Sequence, residues 1–212
     1  PNTVIKGSPL GATNELILFK FNSIAGLVIR DLSIDANGNY TLGGIQFQGG
    51  SRIWIHNTEY TDSAPIGSPA SDRYGWVFNT ATNTDVWFTE NRTDGPQPQF
   101  STMAQAVISN NIFKNSIKTA VVAINVVSAS ATIKDVLFEG NHVIVDSSSV
   151  LGANDVIGVE VATSPNNLSA TTVERVVIKN NLIRYTTNGG AAILVGTTNT
   201  ATAGGATKPI FR

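Results

Sequence analysis

Along most of its length the chain alternates short apolar runs with clusters of Gly, Asn, Ser and Thr. Period-two alternation bounded by such punctuation predicts many short strands, and no stretch carries the 3.6-residue period of an amphipathic helix. The expectation is an all-β chain. Within it one frame recurs. The stretches "AVISNNIF" (106–113) and "VVIKNNLI" (176–183) set a pair of asparagines at the same point of an apolar run, although asparagine is a poor strand residue. Sliding that frame along the chain adds "LVIRDLSI" (27–34), "IWIHNTEY" (53–60), "VWFTENRT" (86–93) and "VLFEGNHV" (136–143).

The third frame position is always large and apolar: Ile29, Ile55, Phe88, Ile108, Phe138, Ile178. The sixth reads Leu32, Thr58 and then Asn91, Asn111, Asn141, Asn181. A second, weaker element lies between copies, as in "GGIQFQG" (43–49), "YGWVFNT" (74–80), "AVVAINV" (120–126), "IGVEVAT" (157–163) and "GAAILVG" (190–196). No such segment is apparent between the third and fourth copies, whose third positions are 20 residues apart. That spacing suits one minimal turn of a coil, and the spacings of 26, 33, 30 and 40 suit the same turn with loops inserted. A sandwich or a propeller also supplies short strands, but neither needs one polar residue at one point of successive strands. A single-stranded parallel β-helix (solenoid) does, because coils stack at ~4.8 Å and equivalent residues form columns. The reading is a solenoid of about six to seven coils with an Asn ladder of Asn91, Asn111, Asn141 and Asn181, each satisfying turn backbone.

Composition narrows the possibilities. A net charge of −1 and 14 % charged residues argue against capture of nucleic acid, which needs a clustered basic face. The chain has no cysteine and two histidines, His56 and His142, at different frame positions, so no metal site is expected. No apolar run reaches the ~18 residues of a membrane span. The whole of 1–212 reads as one domain, with the repeat core at about 24–197 and 198–212 as a loop or a connection to a further segment. Neither end of the repeat shows a cap over its strand edges, so a fragment lacking its caps, or capping by partner subunits, is the expectation.

The combination "GIQFQGGSRIWIHNTEY" with "VERVVIKNNLIRY" resembles the right-handed parallel β-helix of the pectin-lyase-like superfamily. That superfamily includes pectate lyases, polygalacturonases, alginate epimerases and bacteriophage tailspikes. The resemblance implies an extracellular or virion protein that recognises polysaccharide, with cleavage by glycoside hydrolysis or a lyase reaction as the associated chemistry. It implies no cofactor, or calcium if the chemistry is lyase-like, and a homotrimer of the tailspike kind. The repeat is scaffold, however, and chemistry differs among members. Of the polygalacturonase motifs only Asn-Thr-Asp occurs, at residues 83–85. The carboxylate cluster of pectate lyases has no counterpart in sequence near Arg52, Arg73 or Arg92. The rival is a non-catalytic rod in a virion fibre, appendage or surface adhesin.

Glycoside cleavage needs two carboxyls about 5–9.5 Å apart, and acids are densest around the second and third copies. Glu59, Asp62, Glu90 and Asp94 are the catalytic candidates, with Asp72 in the loop between; solvated turn acids are the plain alternative. The second frame position points outward by alternation and reads Val28, Trp54, Trp87, Val107, Leu137, Val177. Such a column is either buried by partner chains or, at its tryptophans, stacked on sugar rings. In the second case Trp54, Trp87 and Tyr60 form the platform and Arg52 and His56 supply hydrogen bonds.

Overall fold

The computed structural model describes residues 3–6, 17–36, 43–62, 74–116, 120–126, 132–145, 157–163, 172–185 and 191–197. Asp72, Arg73 and the segment 198–212 lie outside the described residues. Among those described every regular element is a strand, and every pairing between strands is parallel. One sheet has seven strands in the order β1 (Thr3–Lys6), β3 (Leu32–Asp35), β5 (Glu59–Thr61), β8 (Arg92–Gly95), β11 (Ile112–Ser116), β14 (His142–Val145), β17 (Leu182–Tyr185).

The other sheet has eleven strands. It runs β16 (Thr172–Lys179), β13 (Thr132–Glu139), β10 (Met103–Ser109), β7 (Asn83–Thr89), β4 (Gly43–His56), and continues β6 (Tyr74–Phe78), β9 (Gln97–Phe100), β12 (Ala120–Val126), β15 (Ile157–Thr163), β18 (Ala191–Thr197), with β2 (Ile17–Arg30) beside β4. Strand β4 belongs to both halves of this sheet: Ile53–His56 pair with β7, and Ile45–Phe47 pair with β6. The eleven strands therefore divide into two faces joined through the long strands β2 and β4. Each pass of the chain contributes one strand to each of three faces. The first face holds the sequence frame, the second is the seven-stranded sheet, and the third runs from β4 through β6 to β18. This strand order is what a parallel solenoid requires.

Registers match the frame. Ile55 pairs with Phe88, Phe88 with Ile108, Ile108 with Phe138 and Phe138 with Ile178. Two conformational details repeat with it. The fifth position is left-handed in all six copies, with φ from 50° to 66° at Asp31, Asn57, Glu90, Asn110, Gly140 and Asn180. So is the residue just before the frame: Gly26, Arg52, Asp85, Gln105, Asp135 and Arg175, with φ from 50° to 73°. Such a φ costs roughly 1–2 kcal/mol for most side chains and less for Asn, Asp and Gly.

The paired asparagines thus divide the work. The first turns the chain, and the second points into the corner and ties one pass to the next. Asn111 Nδ2 donates to the Phe88 carbonyl (2.9 Å) and to Asn141 Oδ1 (2.9 Å), while Asn111 Oδ1 accepts from the backbone N–H of Asn91 (2.8 Å). Asn141 does the same one pass on, donating to the Ile108 carbonyl and to Asn181 Oδ1 and accepting from the N–H of Asn111. Where Thr58 replaces asparagine, its N–H and hydroxyl both donate to Asn91 Oδ1 (2.9 and 2.7 Å). Asn91, Asn111 and Asn141 are at most 2 % exposed, so unpaired amides here would be costly.

Inside, aromatic rings follow the strands. Phe21, Phe47, Phe78 and Phe100 stack with centroids 5.4, 4.5 and 5.6 Å apart along the third face. Phe88 on the first face packs edge-on to Trp76 and Phe100. Strand β9, "QPQF", corrects the expectation that no third-face element separates the third and fourth copies. Gln99 pairs with Val77 on one side and Ala123 on the other. Its proline and two glutamines hide it from any pattern of alternating apolar residues.

Candidate functional site

The second frame position points outward on the first face. Val28 is 54 %, Trp54 42 %, Trp87 42 % and Val177 48 % exposed, while Val107 and Leu137, between Trp87 and Val177, are half-buried. Trp54 and Trp87 are register partners on adjacent strands, about 4.8 Å apart in backbone. Next to them His56 pairs with Thr89 in the same register. The Trp54 indole N–H donates to Thr89 Oγ1 (3.3 Å), His56 Nδ1 lies 3.2 Å from the same oxygen, and the His56 ring tilts against Trp54 at 5.2 Å. Arg52 is exposed, has left-handed backbone within β4 just before the frame, and has no ion pair with a described residue. Trp54, Trp87, His56, Thr89 and Arg52 therefore share one outward face.

Tyr60 does not join them. It occupies the eighth frame position, which points inward with Ile34 and Phe113, and is fully buried with its ring edge-on to Trp76 at 6.0 Å. Its assignment to the sugar platform is thereby corrected: alternation after the corner turns it into the core.

The four candidate acids fall into two places. Glu59 and Asp94 lie on the outward side of the second face, joined through Arg92: Nε is 3.4 Å from Glu59 Oε1 and Nη2 is 3.6 Å from Asp94 Oδ2. Lys114 Nζ is a further 3.3 Å from Asp94 Oδ2, and the Ser33 hydroxyl donates to Glu59 at 3.5 Å. Asp62 follows β5, with its backbone N–H donating to the Asp94 carbonyl at 3.1 Å. Glu90 stands apart as an exposed left-handed corner residue. The structure thus brings Glu59, Asp62 and Asp94 onto neighbouring strands and leaves Glu90 out. Glu59 and Asp94 are engaged by cations rather than facing one another across an open cleft. The Asn83–Asp85 motif is structural as well: Asn83 is fully buried and Asp85 is the left-handed residue before the frame.

Among the described residues no three His, Asp or Glu side chains converge as metal ligands. His142 belongs to the second face, in register with Ile112 and Leu182.

One acid escaped the sequence reading. Glu160 lies between Ala123 and Leu194 on the outward side of the third face and is only 7 % exposed. Burial pushes its carboxyl above the usual carboxylate range, because the charged form loses hydration. The residues in line with it are equally covered: Gln46 7 %, Val77 1 %, Gln99 7 % and Ala123 0 % exposed. Gln99 Nε2 and the Ser101 hydroxyl both donate to Asn125 Oδ1 (3.3 and 2.9 Å). A lone acid inside the apolar alternation "IGVEVAT" was the available signal. Comparison with family models, curated proteins and solved structures finds no match.

Proposed function

We propose that this chain is a polysaccharide-recognising module built on a right-handed parallel β-helix of the pectin-lyase-like kind, with its corner asparagines as a ladder. The observation that carries the reading is the pair Trp54 and Trp87, adjacent in register and each 42 % exposed. Tryptophan faces on successive strands offer flat apolar surface to sugar rings, with polar groups at the ring edges for hydroxyls. Arg52, His56 and Thr89 supply those groups. In this reading the module recognises rather than cleaves, since Glu59 and Asp94 are committed to Arg92 and Lys114. An extracellular or virion setting follows from the ligand.

Binding to immobilised capsular and lipopolysaccharide polymers tests this. Trp54→Ala and Trp87→Ala should each weaken binding at least tenfold, about 1.4 kcal/mol, with strand content unchanged by circular dichroism. Undiminished binding by the double variant would overturn the reading.

The aliphatic members of the same column favour a second reading, a structural rod packed against sister chains. Val28 beside Trp54, and Val177 beyond Val107 and Leu137 in the same column, are 54 % and 48 % exposed and offer surface suited to a protein partner. Solution mass decides between them: a stable trimer that binds no glycan supports the rod, and a glycan-binding monomer excludes it.

A further inference from the structure

The three side chains Trp54, Thr89 and His56 form a chain of contacts, and chemistry fixes the direction of its first link. The Trp54 indole nitrogen is a donor only, so at 3.3 Å from Thr89 Oγ1 it must donate to that oxygen. A threonine hydroxyl has one proton to give and two lone pairs. With one lone pair taken by the indole, its proton is free to point at His56 Nδ1, 3.2 Å away. A neutral imidazole that accepts at Nδ1 carries its proton on Nε2. His56 Nε2 has no hydrogen bond with a described residue. Trp54 and His56 both leave β4 on its outward side, and their rings meet at 5.2 Å.

We propose that Thr89 is a positioning residue for the tryptophan face, passing a hydrogen bond from the Trp54 indole to His56 Nδ1 so that His56 presents Nε2–H beside the Trp54 ring. The group recognised is then a sugar ring carrying an acceptor oxygen, a hydroxyl or ring oxygen, just beyond the edge of the stacked surface. This rests on the recognition reading above and assigns within it which atom meets the ligand. It also fits the register: Thr89, opposite His56 on the strand next to β4, reaches both rings. Fixing both beforehand removes rotamer freedom that binding would otherwise have to freeze.

The relay is measurable without any ligand. In uniformly nitrogen-15-labelled full chain at mildly alkaline pH, two-bond correlations report the tautomer of each histidine, and His142→Gln assigns the two. The expected result is an Nε2–H tautomer at His56 that Thr89→Ser keeps. Thr89→Val, which matches the shape and lacks the hydroxyl, should shift the Trp54 indole N–H signal and leave His56 a mixture of tautomers. Polysaccharide affinity should fall about three- to tenfold in Thr89→Val, the loss of one oriented hydrogen bond, and recover in Thr89→Ser. An Nδ1–H tautomer in the unmodified protein, or Trp54 and His56 signals unmoved by Thr89→Val, would overturn the proposal. The expected signals in a protein that binds no polysaccharide would support the relay and sink the recognition reading.

Discussion

The first and third faces are built by the same rule and end differently. On both, alternation sends every second side chain outward, and on both those outward residues form columns across successive passes. The first-face column is open at Val28, Trp54, Trp87 and Val177, at 42 to 54 % exposed, with Val107 and Leu137 half-buried. The third-face column Gln46, Val77, Gln99, Ala123, Glu160 is shut, at 7 % or less. The open column is aromatic and aliphatic, whereas the shut one holds two glutamines and a glutamate. Hydrophobicity alone would assign the two environments the wrong way round. Apolar residues on an open face point to something that comes to meet them, while polar residues under cover need partners or altered ionisation.

A charge placed in each column should break the symmetry most strongly. Val77→Asp would bury a carboxylate without a cation and should lose roughly 3–5 kcal/mol of stability, as uncompensated buried charges do. Val28→Asp, on the open column, should stay within about 0.5 kcal/mol. Denaturant midpoints of the two variants check this, and equal losses would mean that the first face is covered in solution.

A smaller effect is expected at the corner beside the open face. Asn111→Ala leaves the Phe88 carbonyl and the Asn91 N–H without their partners and should cost about 2–3 kcal/mol. Asn181, in the last described pass, accepts from the N–H and Nδ2 of Asn141 and donates to the Phe138 and Lys179 carbonyls. It is only half-buried, so water can replace its lost bonds and Asn181→Ala should cost less. Matched losses would argue against buried corners being held more tightly than this half-buried one.

The subtlest test concerns Glu160. Its folded-state proton is held more tightly than in the unfolded chain because burial opposes charge. The folded protein therefore binds more protons above the ordinary glutamate value, and stability falls as pH rises from there until the buried carboxyl has ionised. Glu160→Gln should be the more stable protein near neutrality, with the advantage fading as pH drops below that value. Thermal midpoints across pH measure it; a gap independent of pH would point to packing rather than ionisation. On the exposed second-face side, Glu59→Gln should show no such gain, since there the charge is paired with Arg92.

Much of this architecture was legible in the chain because stacking repeats one environment many times. Six third-position apolar residues and four asparagines in one frame specify strand, corner and register at once. The third-face strand at 97–100 was not legible, since Pro98 and its flanking glutamines carry no β signature and only the neighbouring strands hold them in place. The left-handed residue before each frame was hidden too: Arg52, Gln105 and Arg175 are ordinary residues held at positive φ in register with the same conformation on the neighbouring strand. At the site, alternation foretold the outward tryptophans and then failed at Tyr60, because the left-handed residue Asn57 resets inside and outside. Glu160 was missed for a related reason. Sequence can say which way a side chain points, but not what lies over it.

The asparagine corner also bears on what the molecule can tolerate. In all six passes one left-handed residue and one inward residue join the first face to the second, with nothing added. By contrast, the connection from second to third face runs from Gly95 directly through Pro96 to Gln97 in one pass and from Val145 to Ile157 in another. Because each corner amide reaches the backbone of the pass before it, an extra residue there would break two passes at once. The stacked parallel strands therefore have one seam closed to insertion and others open to it. New loops, and whatever specificity they bring, can be grafted only along the open seams.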